Sequence, residues 1–511
     1  MIKSGHVCLL LLMKKILILI ITLFIVAFIS AVLWAYFVFI HTKSLSQSEL
    51  AELTPEWRLI THNNWSPWFD APDGTKEWNP AASFNAWLAS VPEQEKAWPV
   101  LVDEYYRNQS LFDNREALRP VADIKDWESM SVLLATDQNR ETIQKIVDAI
   151  ERTVMGCGIY KTTDPYEHQA MIANGVEDEN WLENPELNPG LMTLFPPAPR
   201  LQHKVSRLVL LSAGELLNQG QTDEFVNRIS IVLKSSQLSS EYPTLINQLG
   251  TLSTLSSSLM TISWALEHHS EKINEAHLVA LDSAIEQVQT IEFLWEGEAI
   301  TFHDTLRRLA SPKGELSLQS ASSWGGGNGA LDDPISLPDL ELHKSVQRML
   351  YVYGELLEES ARQSNISWNG SRVGINQLFE KSKKDLGAPG AMLIDLMLPA
   401  LDRTANIFRE SAQQKIGVRT AIAIHRHKLQ HGKFPDSVDE VDPDFIVFQP
   451  IDMFTGNRLH YALRNSDPLI YSVGPDMDND DGLHVFGIAR ESSKIDGDWV
   501  LYPVPQISED E

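Results

Sequence analysis

The sequence predicts a mainly α protein: an N-terminal transmembrane helix, a helical-hairpin, solenoid-like ectodomain, and a small α+β module at the C-terminal end. Three observations lead there. Ile16 to Ile40 is a run of 25 residues without a charge. Apolar residues then recur at three- and four-residue steps through most of the chain. After about Gly417 the pattern shortens into turns and strand-like runs, "DMFTGNRLHYAL", "PLIYSVGPD" and "DWVLYPV".

The apolar run comes first. A helix of about 20 such residues crosses the hydrocarbon core. The run also exceeds the roughly 7–15 residues of a signal-peptide core, and no small-residue cleavage site ends it. An uncleaved anchor at 16–40 is expected. Lys14 and Lys15 precede it, whereas Lys43 is soon followed by Glu49 and Glu52. The positive-inside rule then places residues 1–15 in the cytoplasm and the bulk outside, periplasmic in a Gram-negative cell. Trp34, Tyr36 and Phe37 fall at the outer interface, where amphipathic rings are favoured. "MKKILILI" from Met13 offers a second translation start beside Met1.

Charge narrows the partners. The net charge is −27, and residues 1–44 hold four lysines and no acid, so the exported part carries 38 bases against 69 acids. Such a surface repels phosphate backbones and anionic head groups, which excludes nucleic acid as a partner. Cys8 and Cys157 lie on opposite sides of the anchor and cannot pair. Cys157 reads as a small buried residue.

Residues 45–200 form a tryptophan-rich, helical N-terminal region. Trp57, Trp65, Trp68, Trp78, Trp87 and Trp98 fall close together, either as a flap packed on the body or as a ligand or partner surface. "KAWPVLVDEYYRN" and "NRETIQKIVDAIERTV" have helical period, and 162–200 reads as a connecting loop. Residues 201–416 read as a helical array. In "SAGELLNQGQTDEFVNR", Gly220 stops one helix and Thr222 or Asp223 caps the next. A second pair spans "YPTLINQLGTLSTLSSSLMTISWALEHH" and "INEAHLVALDSAIEQVQTIEFLW". The pairs have a general resemblance to tetratricopeptide-type hairpins, without a strict repeat. A glycine-rich loop at 311–338 is a candidate cover for the array, and further helices follow it.

No nucleophile elbow, HExxH, Walker loop or dinucleotide fingerprint occurs. "WEGEAITFHDTLRR" gathers Glu296, Glu298, His303 and Asp304; a Glu298/His303 pair suits acid–base hydrolysis, yet a spacing of five separates them on a helix. Asp304 and Arg308 read as a surface ion pair. His427 and His431, at i and i+4, suit one metal ion or, more simply, the cation-favouring end of a helix closed by Gly432. His268 and His269 are adjacent and cannot chelate from one face.

In the module, 417–511, a helix runs into a Y-x-L-x-x-G-x-Y-P-like pattern at His427 to Pro435. A D-P-W-G-N-P-Y-x-Y-like hairpin follows at Asp452 to Tyr461, then an S-x-G-x-D-G-like loop at Ser472 to Asp476. Taken in that order, these motifs resemble the C-terminal domain of the major pseudopilin of type II secretion systems. The whole layout is similar to a group of membrane-anchored bacterial proteins with this tail. The pseudopilin assembly helix and processing site are missing, so filament formation does not carry over. The resemblance implies that the loop binds calcium.

Charge argues the same way. Asp476, Asp478, Asp480 and Asp481 form six like-charge pairs. Each costs roughly 0.7 kcal/mol at about 6 Å in water, a cost that a hard cation with oxygen ligands removes. Asp496 or Asp498 can close the cage from the returning strand. The expected ligands are Asp476, Asp478, Asp480 and Asp498, around a structural Ca²⁺. The alternative is a solvated acidic turn. An EF-hand is excluded: its Gly and Glu positions fall on Asp481 and Gly487. The expectation is thus a single-pass inner-membrane protein whose helical ectodomain engages envelope proteins in assembly. The alternative is a periplasmic hydrolase of cell-wall or polysaccharide material that uses Glu298 and His303.

Overall fold

The structure is a computed structural model describing residues 80–160, 163–178, 197–242, 244–288, 295–309, 342–364, 375–383, 386–474, 477–483 and 497–505. The expected anchor, the tryptophans from Trp57 to Trp78, the glycine-rich loop, Asp476 and Asp496 lie outside the described residues. Among the described residues, no helix is long and apolar enough to cross a membrane.

The protein is mainly helical, with one small three-stranded antiparallel sheet. Helices α1 (Pro80–Ser90), α2 (Trp98–Arg107), α3 (Gln109–Phe112), α4 (Trp127–Ala135) and α5 (Asp137–Ile150) begin it. Asp126 and Thr136 cap α4 and α5 by accepting from the Ser129 and Asn139 N–H groups. The stretch read as a connector contains a helix, α6 (Pro165–Ala173). Asp164–Pro165 is its start signal: Asp164 Oδ1 accepts from Tyr166 N at 2.9 Å, and Pro165 sits where no N–H is needed. That carboxylate also accepts from Trp98 Nε1 and Gly158 N, both at 3.0 Å, tying α2 to α6. Trp98 is therefore core, and Trp87 is half-buried against Phe84.

Helices α7 (Pro197–Asn218) and α8 (Thr222–Ser235) form the first expected hairpin. Gly220 adopts φ +79°, while Gln221 N donates to Leu216 O at 2.8 Å. Neither Thr222 nor Asp223 is the cap of α8. The turn is so tight that Gln221 occupies that position, without a side-chain cap bond to the helix, and Thr222 is already helical. Asp223 instead pairs with His277 Nε2 at 2.8 Å, linking α8 to α10 (Glu275–Gln287). Helix α9 (Leu245–His268) packs on α7, and α10 packs on α8, so the expected second hairpin of α9 against α10 does not form.

Helices α11 (Trp295–Leu309), α12 (Leu342–Ser364) and α13 (Ile375–Ser382) lead to the 45-residue α14 (Gly387–His431). Helix α14 packs on α9, α10, α12 and the sheet. It passes the expected boundary at 417 unbroken, and one apolar cluster includes both Val209 of α7 and Ile470 of the sheet. Gly432, at φ +77°, closes α14.

Strands β1 (His460–Arg464), β2 (Asp467–Ser472) and β3 (Trp499–Tyr502) pair in that order. Asn465 and Ser466, with φ of 54° and 74°, make the two-residue turn that pairs Arg464 with Asp467. "DMFTGNRLHYAL" becomes a strand only at His460. Its first part is a tight turn, in which Gly456 N donates to Asp452 O at 2.8 Å.

Candidate functional site

The end of β2 and the start of β3 meet acidic side chains, and Asp452 is the first. It is fully buried; Oδ1 accepts from Phe454 N (2.7 Å) and Ser472 Oγ (2.9 Å), and Oδ2 from Val473 N (3.0 Å). The "DMFTGNRLHY" turn and the "SVGPD" loop are thus bonded through their first residues. Donors satisfy both oxygens of Asp452, so its role is to hold the two loops together. Sequence reasoning quoted Asp452 as a hairpin residue and missed this. The available signal was an acid opening a turn that contains Gly456.

Asp498 is different. It stands just before β3 and reaches back to the acidic loop. Its Oδ2 accepts from Asp480 N at 3.0 Å and Gly482 N at 2.5 Å, while Asp498 N donates to Leu483 O at 2.8 Å. The loop wraps it tightly, with positive φ at Met477, Asp481 and Gly482. A Cβ on Gly482 would meet Leu469 Cδ2 at 2.5 Å, so glycine is required there. Asp498 is 1% exposed, and among the described residues its buried Oδ1 has no hydrogen-bond donor. Burial raises the pKa of this carboxyl, the two loop N–H groups oppose that, and the Asp480 charge adds to it.

A buried carboxylate oxygen left without a donor is costly, and a hard cation is the partner that suits it. The oxygen chemistry of the loop fits calcium. Asp480 is half-buried beside Asp498, whereas Asp478 and Asp481 are exposed. Among the described residues, no three His, Cys, Asp or Glu side chains form a group able to hold a metal. The structure thus brings Asp498 and Asp480 together, leaves Asp478 facing solvent, and does not describe Asp476.

The other sequence candidates are internal. Glu298, His303 and Asp304 on α11 are all buried, at 5%, 7% and 3% exposure. The expected surface role of Asp304 therefore fails, because α11 is enclosed on more than its apolar stripe, packing on α12. Glu298 Oε2 accepts from Leu245 N at 3.0 Å, at the first residue of α9, where Thr244 supplies no side-chain cap. Glu298 thus caps a neighbouring helix from outside it. Burial pushes its pKa up to about 7.

His425 donates to or accepts from Tyr502 Oη at 2.8 Å, and burial pushes its pKa down to about 3, as a neutral core imidazole. The rings of His427 and His431 stack at 4.2 Å with planes 16° apart. In that arrangement their in-plane lone pairs run side by side, not toward one ion. His431 is exposed at the end of α14, whereas His427 is buried, and burial and then the His431 charge lower its pKa, so it does not act as a helix-end cation. No protein family, curated protein or solved structure matches the chain.

Proposed function

We propose that this chain is a membrane-anchored cell-envelope protein whose solenoid-like helical ectodomain serves as an assembly platform for envelope proteins. A structural calcium ion closes its pseudopilin-like C-terminal loop. The observation that carries the calcium reading is the buried Oδ1 of Asp498, which has no donor among the described residues, beside a second acid in a loop of four aspartates. Asp476, Asp478, Asp480 and Asp498 are the proposed ligands, with Asp498 the anchor of the set. The ion supplies folding free energy there. The bond between Asp452 and Ser472 supports the pseudopilin-like reading, since it joins the two motifs that carry the resemblance.

The platform reading draws on the anchor, the acidic exterior and the paired helices. It also draws on the use of Glu298 as an internal cap, which speaks for structure over hydrolysis. The test is a thermal melt of the full-length chain in EDTA and in calcium. Calcium at 100 times its dissociation constant adds about 2.7 kcal/mol to the state that binds it. Asp498→Asn and Asp476→Ala are expected to lose that gain. An identical melt with and without calcium would overturn the ion, and crosslinked envelopes that repeatedly yield no specific partner would overturn the platform.

A further inference from the structure

A cleft of about 610 Å³ opens where the start of α4, the end of α7 and the end of α9 converge. Its floor is a tryptophan pair. Trp127, the first residue of α4, stacks on Trp264 of α9 with centroids 5.4 Å apart and planes at 26°. Trp264 is buried, while Trp127 keeps part of its surface in the cleft. The indole is held in place: a Cβ on Gly214 of α7 would meet Trp127 Cη2 at 2.7 Å, so only glycine lets the ring lie there. His269 closes one side, its ring edge-on to Trp264 at 4.9 Å.

The rim is polar and ordered by a buried acid. Glu215 accepts from Ser131 Oγ and from Gln219 Nε2, both at 2.7 Å, and is 8% exposed. Lys272 Nζ donates to the Leu217 and Asn218 carbonyls at 3.1 Å, which fixes the end of α7 that carries Asn218 and Gln219. Amides, a hydroxyl and imidazoles thus surround an aromatic floor. Burial lowers the pKa of His269, and the nearby Lys272 charge lowers it further, so the ring stays a neutral donor–acceptor.

We infer that this cleft binds a neutral oligosaccharide, with a pyranose ring against Trp127 and its hydroxyls on the amides and imidazoles of the rim. A pyranose presents a face of C–H groups that suits an indole, and hydroxyls at its edge that both donate and accept. Other chemistries fit less well. Anionic ligands meet Glu128 and Glu215 at the rim and a chain of net charge −27. A quaternary ammonium needs several aromatic faces turned toward it, but Trp264 gives its face to Trp127, and the N–H donors of the rim have no use for a cation.

This site is separate from the acidic loop, and its test does not involve calcium. Full-length protein, in a detergent without a sugar head group, is titrated with cellohexaose, chitohexaose, maltohexaose and choline by saturation-transfer NMR and calorimetry. At least one hexasaccharide is expected to bind saturably below about 1 mM, as an open site with few anchors allows. Trp127→Ala weakens that binding at least about tenfold. Gln219→Ala, at an exposed position on the rim, weakens it several-fold. The inference is overturned if no hexasaccharide saturates, if binding survives Trp127→Ala, or if choline binds and the sugars do not.

Discussion

Arg419 of α14 grips Asp282 of α10 with two parallel bonds, Nε to Oδ1 at 2.7 Å and Nη2 to Oδ2 at 3.1 Å. Glu286, one turn further along α10, takes the same guanidinium at 3.3 Å. On its other side, Phe448 of the following loop lies with its ring 4.5 Å from the guanidinium carbon. Lys415 and Arg426 repeat the pattern, to Val288 O at 2.9 Å and Glu275 at 2.7 Å. One face of α14 therefore joins the helical array to the C-terminal loops through its cations.

The first prediction concerns that grip. Arg419 is 8% exposed and Asp282 17%, so truncation leaves a largely buried carboxylate unpaired. Arg419→Ala is expected to cost about 3 kcal/mol in urea unfolding. Arg419→Lys keeps the charge but loses the fork and the stacking, and recovers less than half of it. A lysine variant as stable as the wild type would show that charge alone matters here.

The helical class, most of the helices and the strand at "LIYSV" were legible in the sequence, because each rests on periodicity or a local stop signal. Gly432 as the end of α14 is an example. The return of an acid to the loop was legible in part: the pseudopilin resemblance offered Asp496 or Asp498 on the returning strand, and Asp498 makes the contact. What was not legible depends on distant partners. The enclosure of Asp304 and the meeting of Trp127 with Trp264 bring together residues far apart in sequence, and no local pattern encodes such pairings. Asp164 was missed for a different reason. Its connector looked polar, and a capping acid followed by proline carries more weight than the surrounding composition.

Gly417 is where α14 touches the sheet. A Cβ there would lie 2.5 Å from Leu501 Cβ and 2.8 Å from its Cδ1. Gly417→Ala is expected to destabilise by about 1–3 kcal/mol through overpacking, despite alanine's better helix propensity. Leu501→Ala removes the Cδ1 contact but keeps Cβ, so the double variant gains no rescue. Full recovery in that double variant would show that the helix and sheet are not in close contact.

Asp452 is a second site where a small change is costly. Its oxygens take two N–H groups and one hydroxyl, all buried. Asp452→Ala leaves these donors without a partner, at about 3 kcal/mol in total. Hydrogen exchange provides the local reading. The Phe454 and Val473 amides, protected in the wild type, are expected to exchange much faster in the variant while those of α7 are unchanged. Equal protection in both proteins would refute the role of Asp452 as the tie between the two loops.

Two buried carboxyls give the fold an unusual pH dependence. Glu241 accepts from Met155 N at 2.5 Å, and burial pushes its pKa up to about 8; Glu298 is pushed up to about 7 for the same reason. Their unfolded value is near 4.5. The folded chain therefore keeps these protons over a range in which the unfolded chain releases them. Their stabilising contribution is full below about pH 4.5, declines as the pH rises, and is gone above about pH 8. Glutamine is neutral throughout and still offers a carbonyl to the Leu245 N–H. Glu298→Gln is thus expected to match the wild type near pH 4.5 and to exceed it by on the order of 3 kcal/mol at pH 8. The measurement is urea unfolding of both proteins at half-unit steps across that range. Stability curves that stay parallel would mean that Glu298 is ionised inside the fold and holds α9 as a charged cap.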